Sequence, residues 1–151
     1  MNIVKGAFCA PVRFPQRSRR LLSQRYLTNE ATPMPSPTYE LFAEAMASRK
    51  QVVCVFDGYR REVCPIVLGY TDGQERALVY QFAGESTRPL PPEGAWRCFA
   101  LSRVREAKLR SGPWHAGDRH ERQQGCVKDV DLDVNPSSPY NPRRRLKPSE
   151  N

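Results

Sequence analysis

Both histidines of the chain and one of its five cysteines lie in or just after one short segment. His115 and His120 belong to the sequence Pro-Trp-His-Ala-Gly-Asp-Arg-His, and Cys126 follows six residues later. Imidazole nitrogen and thiolate sulfur are preferred Zn²⁺ ligands, but a structural zinc site needs four such ligands and commonly includes a close cysteine pair. The chain has no Cys-x-x-Cys. The spacing therefore favours solvated loop histidines, and we predict no metal and no cofactor.

The same segment suggests one catalytic hypothesis, a cysteine hydrolase. Cys126 would be the nucleophile, His115 its base and Asp118 the group that orients the base. Nothing in the neighbouring sequence is seen to activate that thiol. The nucleotide-binding motifs Gly-x-x-x-x-Gly-Lys and Gly-x-Gly-x-x-Gly are also absent. We therefore predict a protein that is not an enzyme.

The positive charge is confined to the two ends of the chain. The whole sequence carries 24 Lys and Arg against 16 Asp and Glu, a net charge of +8. Residues 1–37 hold six basic residues and one acidic, residues 143–151 hold four and one, and residues 38–142 hold fourteen of each. A neutral middle creates no long-range field that would gather phosphates, although a local arginine patch remains compatible with it.

Length and cysteine usage bound the class of protein. A chain of 151 residues is about one domain, and no apolar run approaches the ~20 residues of a membrane span; the longest is Val52–Phe56. The cysteines are odd in number and show no tight pairs, at Cys9, Cys54, Cys64, Cys98 and Cys126. With no secretory hydrophobic region at the start, we predict five free thiols, a reducing compartment and a cytoplasmic location.

Composition divides the chain into three parts. Residues 1–37 are predicted to be a disordered basic arm, because acidic residues are scarce and prolines alternate at its end. An organelle leader is one alternative, and a true start at Met34 is another, slightly favoured one. Residues 38–134 are the predicted folded domain, and residues 135–151 a flexible basic tail.

The folded part reads as one short helix followed by strands. Ser36 is a suitable N-cap and Pro37 a suitable first helical residue, and apolar residues then recur at helical spacing. After Gln51 the pattern becomes β, with hairpin turns at Asp57-Gly58 and Asp72-Gly73. The predicted strands are Gln51–Asp57, Tyr59–Cys64, Pro65–Tyr70, Arg76–Phe82, Trp96–Leu101, Val104–Leu109 and Val127–Val134. Six or seven short strands predict a small, mainly β barrel or sandwich.

The alternating aspartates of the last predicted strand, Asp129, Asp131 and Asp133, could suggest a calcium loop. They lack the glycine and the trailing glutamate of that motif. We interpret them as the solvated face of a strand that discourages pairing at an edge.

Three blocks of this region resemble the WYL domain family, a small SH3-like β-fold found chiefly in bacterial regulators and defence-associated proteins. They are Val63–Tyr70 with the turn that follows, Arg76–Tyr80, and Trp96–Val104, the last similar to the family's R-x-F-x-L-x-R-I strand. The place of the name-giving Trp-Tyr-Leu is held by Ala77-Leu78-Val79. The resemblance implies an SH3-like barrel, so that we expect such a barrel of about six strands behind the predicted leading helix.

The resemblance also implies a function, a ligand-sensing or regulatory module that binds an anionic ligand or single-stranded nucleic acid. By position, the implied binding residues are Arg97 and Arg103, with Tyr80 and Phe99 as the nearby aromatic residues. Arginine forks can bind a phosphate through two donors. Alternatively, both arginines form salt bridges to acidic neighbours such as Asp72, Glu75 or Glu106. A protein–protein interaction or oligomerisation module is the alternative function.

Overall fold

The computed structural model describes residues 34–115 and 120–147; most of the predicted basic arm lies outside them. Within these residues the protein is mainly β, with six strands in one antiparallel sheet and one preceding α-helix, which confirms the predicted class. None of the described helices is long and apolar enough to cross a membrane. The elements are α1 (Pro37–Ser48), β1 (Gln51–Phe56), β2 (Tyr59–Thr71), β3 (Gln74–Gly84), β4 (Ala95–Ala100), a 3-10 turn (Leu101–Arg103), β5 (Val104–Arg110) and β6 (Asp129–Asp133).

Helix α1 begins where the sequence predicts. The Ser36 hydroxyl oxygen accepts a hydrogen bond from the Tyr39 backbone N–H at 3.1 Å, and its O–H donates to Glu75 Oε1 at 2.6 Å. The helix ends at Arg49, which adopts a left-handed conformation with φ of 52°. One face of the helix is buried in the core through Tyr39, Phe42, Ala45 and Met46. The cap thus also ties the start of the helix to β3.

Replacing Ser36 with alanine is expected to lower the free energy of unfolding by about 1 kcal/mol, because the helix loses its cap. The loss is measured by urea denaturation followed by circular dichroism. Ser48→Ala is the matched control, since the Ser48 hydroxyl only donates to the Glu44 carbonyl within the last turn. Equal losses in the two variants would contradict a capping role for Ser36.

The sheet has the order β4-β3-β2-β1-β5, with β6 pairing with one end of β2. Both predicted hairpin turns form: Asp57-Gly58 joins β1 to β2, and Asp72-Gly73 joins β2 to β3, with positive φ at all four residues. This is the backbone of a type I′ turn, whose twist matches that of the flanking strands. These local signals were sufficient to predict both turns.

Strand β2 is continuous over thirteen residues, so the predicted division at Pro65 is wrong. The ladder to β1 has ended at Val63, the ladder to β6 begins at Val67, and the pairing with β3 shifts between Pro65 and Val67. Proline lacks an N–H and is tolerated in sheets at such irregularities. One long strand therefore passes through the proline and gains different neighbours on its two halves.

The sheet is strongly curved. Phe56 on β1 and Phe99 on β4 stack with ring centroids 4.1 Å apart, although two strands separate β1 from β4. In a flat sheet three inter-strand steps would span about 14 Å. Both rings are buried in the core. Within the described residues no ladder joins β4 to β5, so the sheet is open and the predicted closed barrel is not confirmed.

Two of the residues that follow β6, in the predicted flexible tail, contact this strand. The Arg143 and Arg144 backbone N–H groups donate to the carbonyls of Val130 and Asp131 at 3.1 and 2.9 Å. The Arg144 guanidinium also binds the Asp131 carboxylate at 2.7 and 2.8 Å. The arginines at this end are therefore at least partly structural.

The interpretation of the aspartates as a solvated face is wrong for two of the three. Asp131 and Asp133 are buried, and only Asp129 is exposed. Asp131 accepts a hydrogen bond from the Tyr39 hydroxyl at 2.6 Å, and Asp133 accepts one from the Asn135 backbone N–H at 2.9 Å. Buried carboxylates are stable where such donors surround them. Asp131 and Asp133 therefore anchor neighbouring segments to β6 through buried hydrogen bonds.

Two of the five cysteines are not free thiols. Cys98 on β4 and Cys126, just before β6, form a disulfide with Cα atoms 5.6 Å apart, whereas Cys54 and Cys64 are free and buried. Cys9 lies outside the described residues. The two bonded residues stand 28 positions apart in sequence, and only the packing of the Cys126 segment beside β3 and β4 brings them together. The premise of the cytoplasmic prediction thus fails for this pair.

Candidate anion-binding site

The implied binding residues divide between the two faces of the sheet. In the β3–β4 ladder Arg97 lies opposite Val79, and Trp96 lies opposite Tyr80. Residues that pair across an antiparallel ladder share a face, and successive residues alternate between faces. Arg97 and Phe99 therefore lie on the inner, concave face, and Tyr80 lies on the outer one.

The two implied aromatic residues offer no stacking surface at this place. Phe99 is 1% exposed, and its ring is stacked on Phe56 in the core. Tyr80 is partly buried on the other face, where its ring meets Trp96 edge-on with centroids 5.5 Å apart. A ligand beside Arg97 therefore has no contact with Tyr80.

Arg61 on β2 is the central residue of the inner face and was missed by sequence reasoning. Its side chain lies over the rings of Phe56, Tyr59 and Phe99, with its Cζ atom 5.4, 5.7 and 6.0 Å from their centroids. It donates to Gln81 Oε1 at 3.2 Å and to the Phe56 carbonyl at 3.4 Å. The alternation of faces along the strand could have identified it, because Arg61 lies two residues before the core residue Val63 and therefore on the same face.

Arg61 is buried without a counter-ion. The residue is only 5% exposed, its hydrogen bonds go to uncharged oxygens, and its Nε atom is buried without a partner. Burial lowers the pKa of the Arg61 guanidinium, the nearby charge of Arg97 lowers it further, and Asp57 opposes both effects. A charge in this position is costly unless an anion compensates it.

Arg97 is the second uncompensated cation. Its Nε atom is buried and has no hydrogen-bond partner, while the residue as a whole is partly exposed. It forms no ion pair with any residue in the described ranges. The salt-bridge alternative therefore does not hold for Arg97.

Arg103 follows β4 in the 3-10 turn and is the outermost of the three. It forms an ion pair with Asp57 of the β1–β2 turn, and its Cζ atom lies 5.2 Å from the centroid of the Phe56 ring. The salt-bridge alternative holds here, but with a different partner from Asp72, Glu75 or Glu106. We call Arg61, Arg97 and Arg103 the arginine cluster.

In the described part of the histidine segment, His115, His120 and Cys126 each contact a different partner. The His115 ring stacks on Phe82 at 3.9 Å, and His120 lies 2.8 Å from Asp133. Cys126 is bonded to Cys98, so no thiol is available for the hydrolase hypothesis, whose third residue, Asp118, lies outside the described residues. Across residues 34–115 and 120–147 no three His, Cys, Asp or Glu side chains are grouped to hold a metal.

No protein-family model, curated protein or solved structure matches this chain. The resemblance to the WYL family therefore stays a prediction. The case for a function rests on the arginine cluster itself.

Proposed function

We propose that this protein is a non-catalytic module that binds an anionic ligand at the arginine cluster. The observation that carries the proposal is Arg61, which is nearly fully buried, has no carboxylate partner and has an unpartnered Nε. Cation–π contacts with the surrounding aromatic rings offset part of the free-energy cost of burying this charge. An oxyanion would supply the missing charge and an acceptor for the unused donor.

Arg61 is positioned by its hydrogen bonds and by the aromatic rings beneath it. Arg61 lies on β2 and Arg97 on β4, with β3 between them, and Arg61 lies over the stacked rings of Phe56 and Phe99. Arginine forks suit oxyanions because each presents several N–H donors in a plane. A preformed set of donors loses little conformational entropy on binding, which favours recognition over mere charge attraction.

The Asp57–Arg103 ion pair supports a sensing role. Asp57 lies in the turn between β1 and β2. It forms an ion pair with Arg103, the arginine of the cluster that is most accessible to solvent. A ligand that takes the Arg103 donor bound by Asp57 would displace this carboxylate and free the turn from the segment after β4. Ligand binding would then be transmitted to the hairpin that Asp57 begins.

The alternative function, a protein–protein interaction module, is favoured by one feature. Trp96 is 45% exposed on β4, which is an edge strand of the described sheet. Exposed tryptophan is enriched at protein interfaces. Because Trp96 lies on the face opposite Arg97, the two proposed functions use different surfaces and can be tested separately.

Replacing Arg97 or Arg103 with alanine is expected to weaken anion binding about tenfold, the loss typical of one hydrogen bond to a charged group. The measurement is calorimetric titration of the purified protein with adenosine 5′-monophosphate and with a ten-residue oligothymidylate at fixed ionic strength.

Two variants serve as controls for this titration. Arg145→Ala removes the same charge from the exposed C-terminal residues, and Trp96→Ala alters β4 on its other face. Both should bind as the wild type does. If Arg97→Ala and Arg145→Ala weakened binding equally, the binding would be non-specific electrostatic attraction, and the proposal would be overturned.

A further inference from the structure

We infer that the arginine cluster selects a phosphate monoester, a dianion with a free end, over a phosphodiester. This inference rests on the proposed function and specifies its ligand. Nucleoside monophosphates and the phosphorylated ends of nucleic acids share this chemistry. Internal phosphates of a strand, which carry one charge each, do not.

The charge of the cluster matches a dianion. Arg61 and Arg103 both lie over the ring of Phe56, and the charge of Arg97 is near enough to act on Arg61. Asp57 is the only carboxylate that forms an ion pair with any of the three in the described residues. Arg61 and Arg97 together leave two positive charges without an anion. A monoester dianion neutralises both, whereas a diester leaves one of them uncompensated.

Competition with Asp57 strengthens the same preference. The carboxylate of Asp57 already gives Arg103 one negative charge. A monoanion that displaces it exchanges one negative charge for another and gains little electrostatic energy. A dianion brings an additional negative charge, which can also compensate the neighbouring buried Arg61.

The burial of the inner donors favours an end group. Arg61 is 5% exposed, and the unpartnered Nε atoms of Arg61 and Arg97 are both buried. The free oxygens of a terminal phosphate can enter from the partly exposed side chains of Arg97 and Arg103, with the single ester group directed towards solvent. A diester carries substituents on two sides, and both would have to be accommodated near the buried arginines.

The aromatic residues provide no compensating contact for an internal nucleotide. Phe56 and Phe99 stack on one another and are covered by Arg61 and Arg103. Proteins that bind single strands through their internal nucleotides usually offer rings on which successive bases stack. Tyr80, which was expected to do so, lies on the opposite face of the sheet.

The test compares methyl phosphate with dimethyl phosphate, two probes that differ by one methyl group. At pH 7.5 methyl phosphate is predominantly a dianion, because the second pKa of a phosphate monoester is about 6, and dimethyl phosphate is a monoanion. Titrations at matched ionic strength are followed by ¹H–¹⁵N spectra, which include the buried Arg61 and Arg97 Nε–H groups. Methyl phosphate is expected to bind at least tenfold more tightly and to shift both Nε–H signals.

Each outcome of this comparison has a distinct meaning. Binding of both probes with equal affinity, with the Nε–H signals shifted, would overturn the monoester inference and leave the proposed function intact. Failure of both probes to bind, or binding that leaves these signals unmoved, would overturn the proposed function itself. Preference for dimethyl phosphate would also reject the inference.

Asp57→Asn provides a second test through the competing carboxylate. The variant keeps a residue that suits the positive φ of the turn, but it frees Arg103. Dimethyl phosphate should bind at least threefold more tightly to it than to the wild type. Asp72→Asn is the matched control, because Asp72 occupies the same position in the other Asp-Gly turn and is distant in sequence from the cluster. An unchanged affinity in Asp57→Asn would contradict the competition.

Two larger ligands distinguish the sources of the monoester. Adenosine 5′-monophosphate represents a small metabolite, and a 5′-phosphorylated tetrathymidylate represents the end of a strand. A higher affinity for either than for methyl phosphate supports the inference and identifies its source. Equal affinity for all three supports a site that recognises the phosphate group alone. Equal affinity for the tetrathymidylate with and without its 5′-phosphate would overturn the inference.

Discussion

Replacing Asp131 with alanine is expected to lower the free energy of unfolding by about 3 kcal/mol, since a buried carboxylate that holds two other groups is removed. Asp131 accepts a hydrogen bond from the Tyr39 hydroxyl of α1 and two from the Arg144 guanidinium. Without it, the Tyr39 hydroxyl loses its carboxylate acceptor in the core. The change is read from urea denaturation at pH 7.

Asp129→Ala is the matched control for this variant. Asp129 lies two residues earlier on the same strand and pairs with Arg143, but both of its ion-pair side chains are more than half exposed, at 52% and 60%. Exposed pairs of this kind contribute less than about 1 kcal/mol. If the two variants lost equal stability, the Tyr39–Asp131–Arg144 network would not be the anchor that the structure indicates.

The same network predicts a dependence on pH. Burial raises the pKa of Asp131, but the hydrogen bonds from Arg144 and Tyr39 outweigh it and hold the pKa below its ordinary value of 3.8. A carboxyl group whose pKa is lower in the folded state stabilises the fold above its unfolded pKa and ceases to do so as the pH falls through the folded value. The stability difference between wild type and Asp131→Ala should therefore shrink between about pH 5 and pH 2.

Reduction of the Cys98–Cys126 disulfide is expected to lower the free energy of unfolding by about 3–4 kcal/mol, because the bond closes a loop of 28 residues in the unfolded chain. Cys98 lies on the exposed side of the edge strand β4, where a soluble dithiol can reach it. The measurement is denaturation with and without reductant, together with thiol titration that detects two further thiols after reduction.

The double variant Cys98→Ser, Cys126→Ser should match the reduced wild type in stability and should not respond to reductant. Cys54→Ala, which removes a buried free thiol, should keep the response. If reduction released two thiols without changing the stability, β4 and the Cys126 segment would be held together by packing alone.

Signals that act within a few residues were sufficient to predict several elements. The N-cap Ser36 and the apolar face of α1 depend on spacing along one helix, and Asp57-Gly58 and Asp72-Gly73 satisfy a turn conformation that few other residue pairs adopt. These features arise from the chain's own dihedral preferences. They can be predicted without knowing which distant residues they contact in the fold.

Features that depend on distant partners were predicted poorly. The division of β2 at Pro65 failed because neighbouring strands change there, and the aspartates of β6 were misread because their donors come from α1 and the residues after β6. The disulfide joins two residues whose spacing carries no signal. In each case the deciding partner lies many residues away.

For the candidate site, the resemblance to the WYL family implied Arg97 and Arg103, and the tertiary structure determined their surroundings. Alternation along β4 determines that Arg97 and Phe99 share a face, and this could be read from the sequence. The curvature that stacks Phe56 on Phe99, and so gathers Arg61 above them, could not, because sheet curvature arises from twist and packing over four strands. The sequence by itself determined the mainly β class, the helix and the two hairpin turns, since these depend on neighbouring residues; burial of Arg61 without a counter-ion was decided only when distant strands came together.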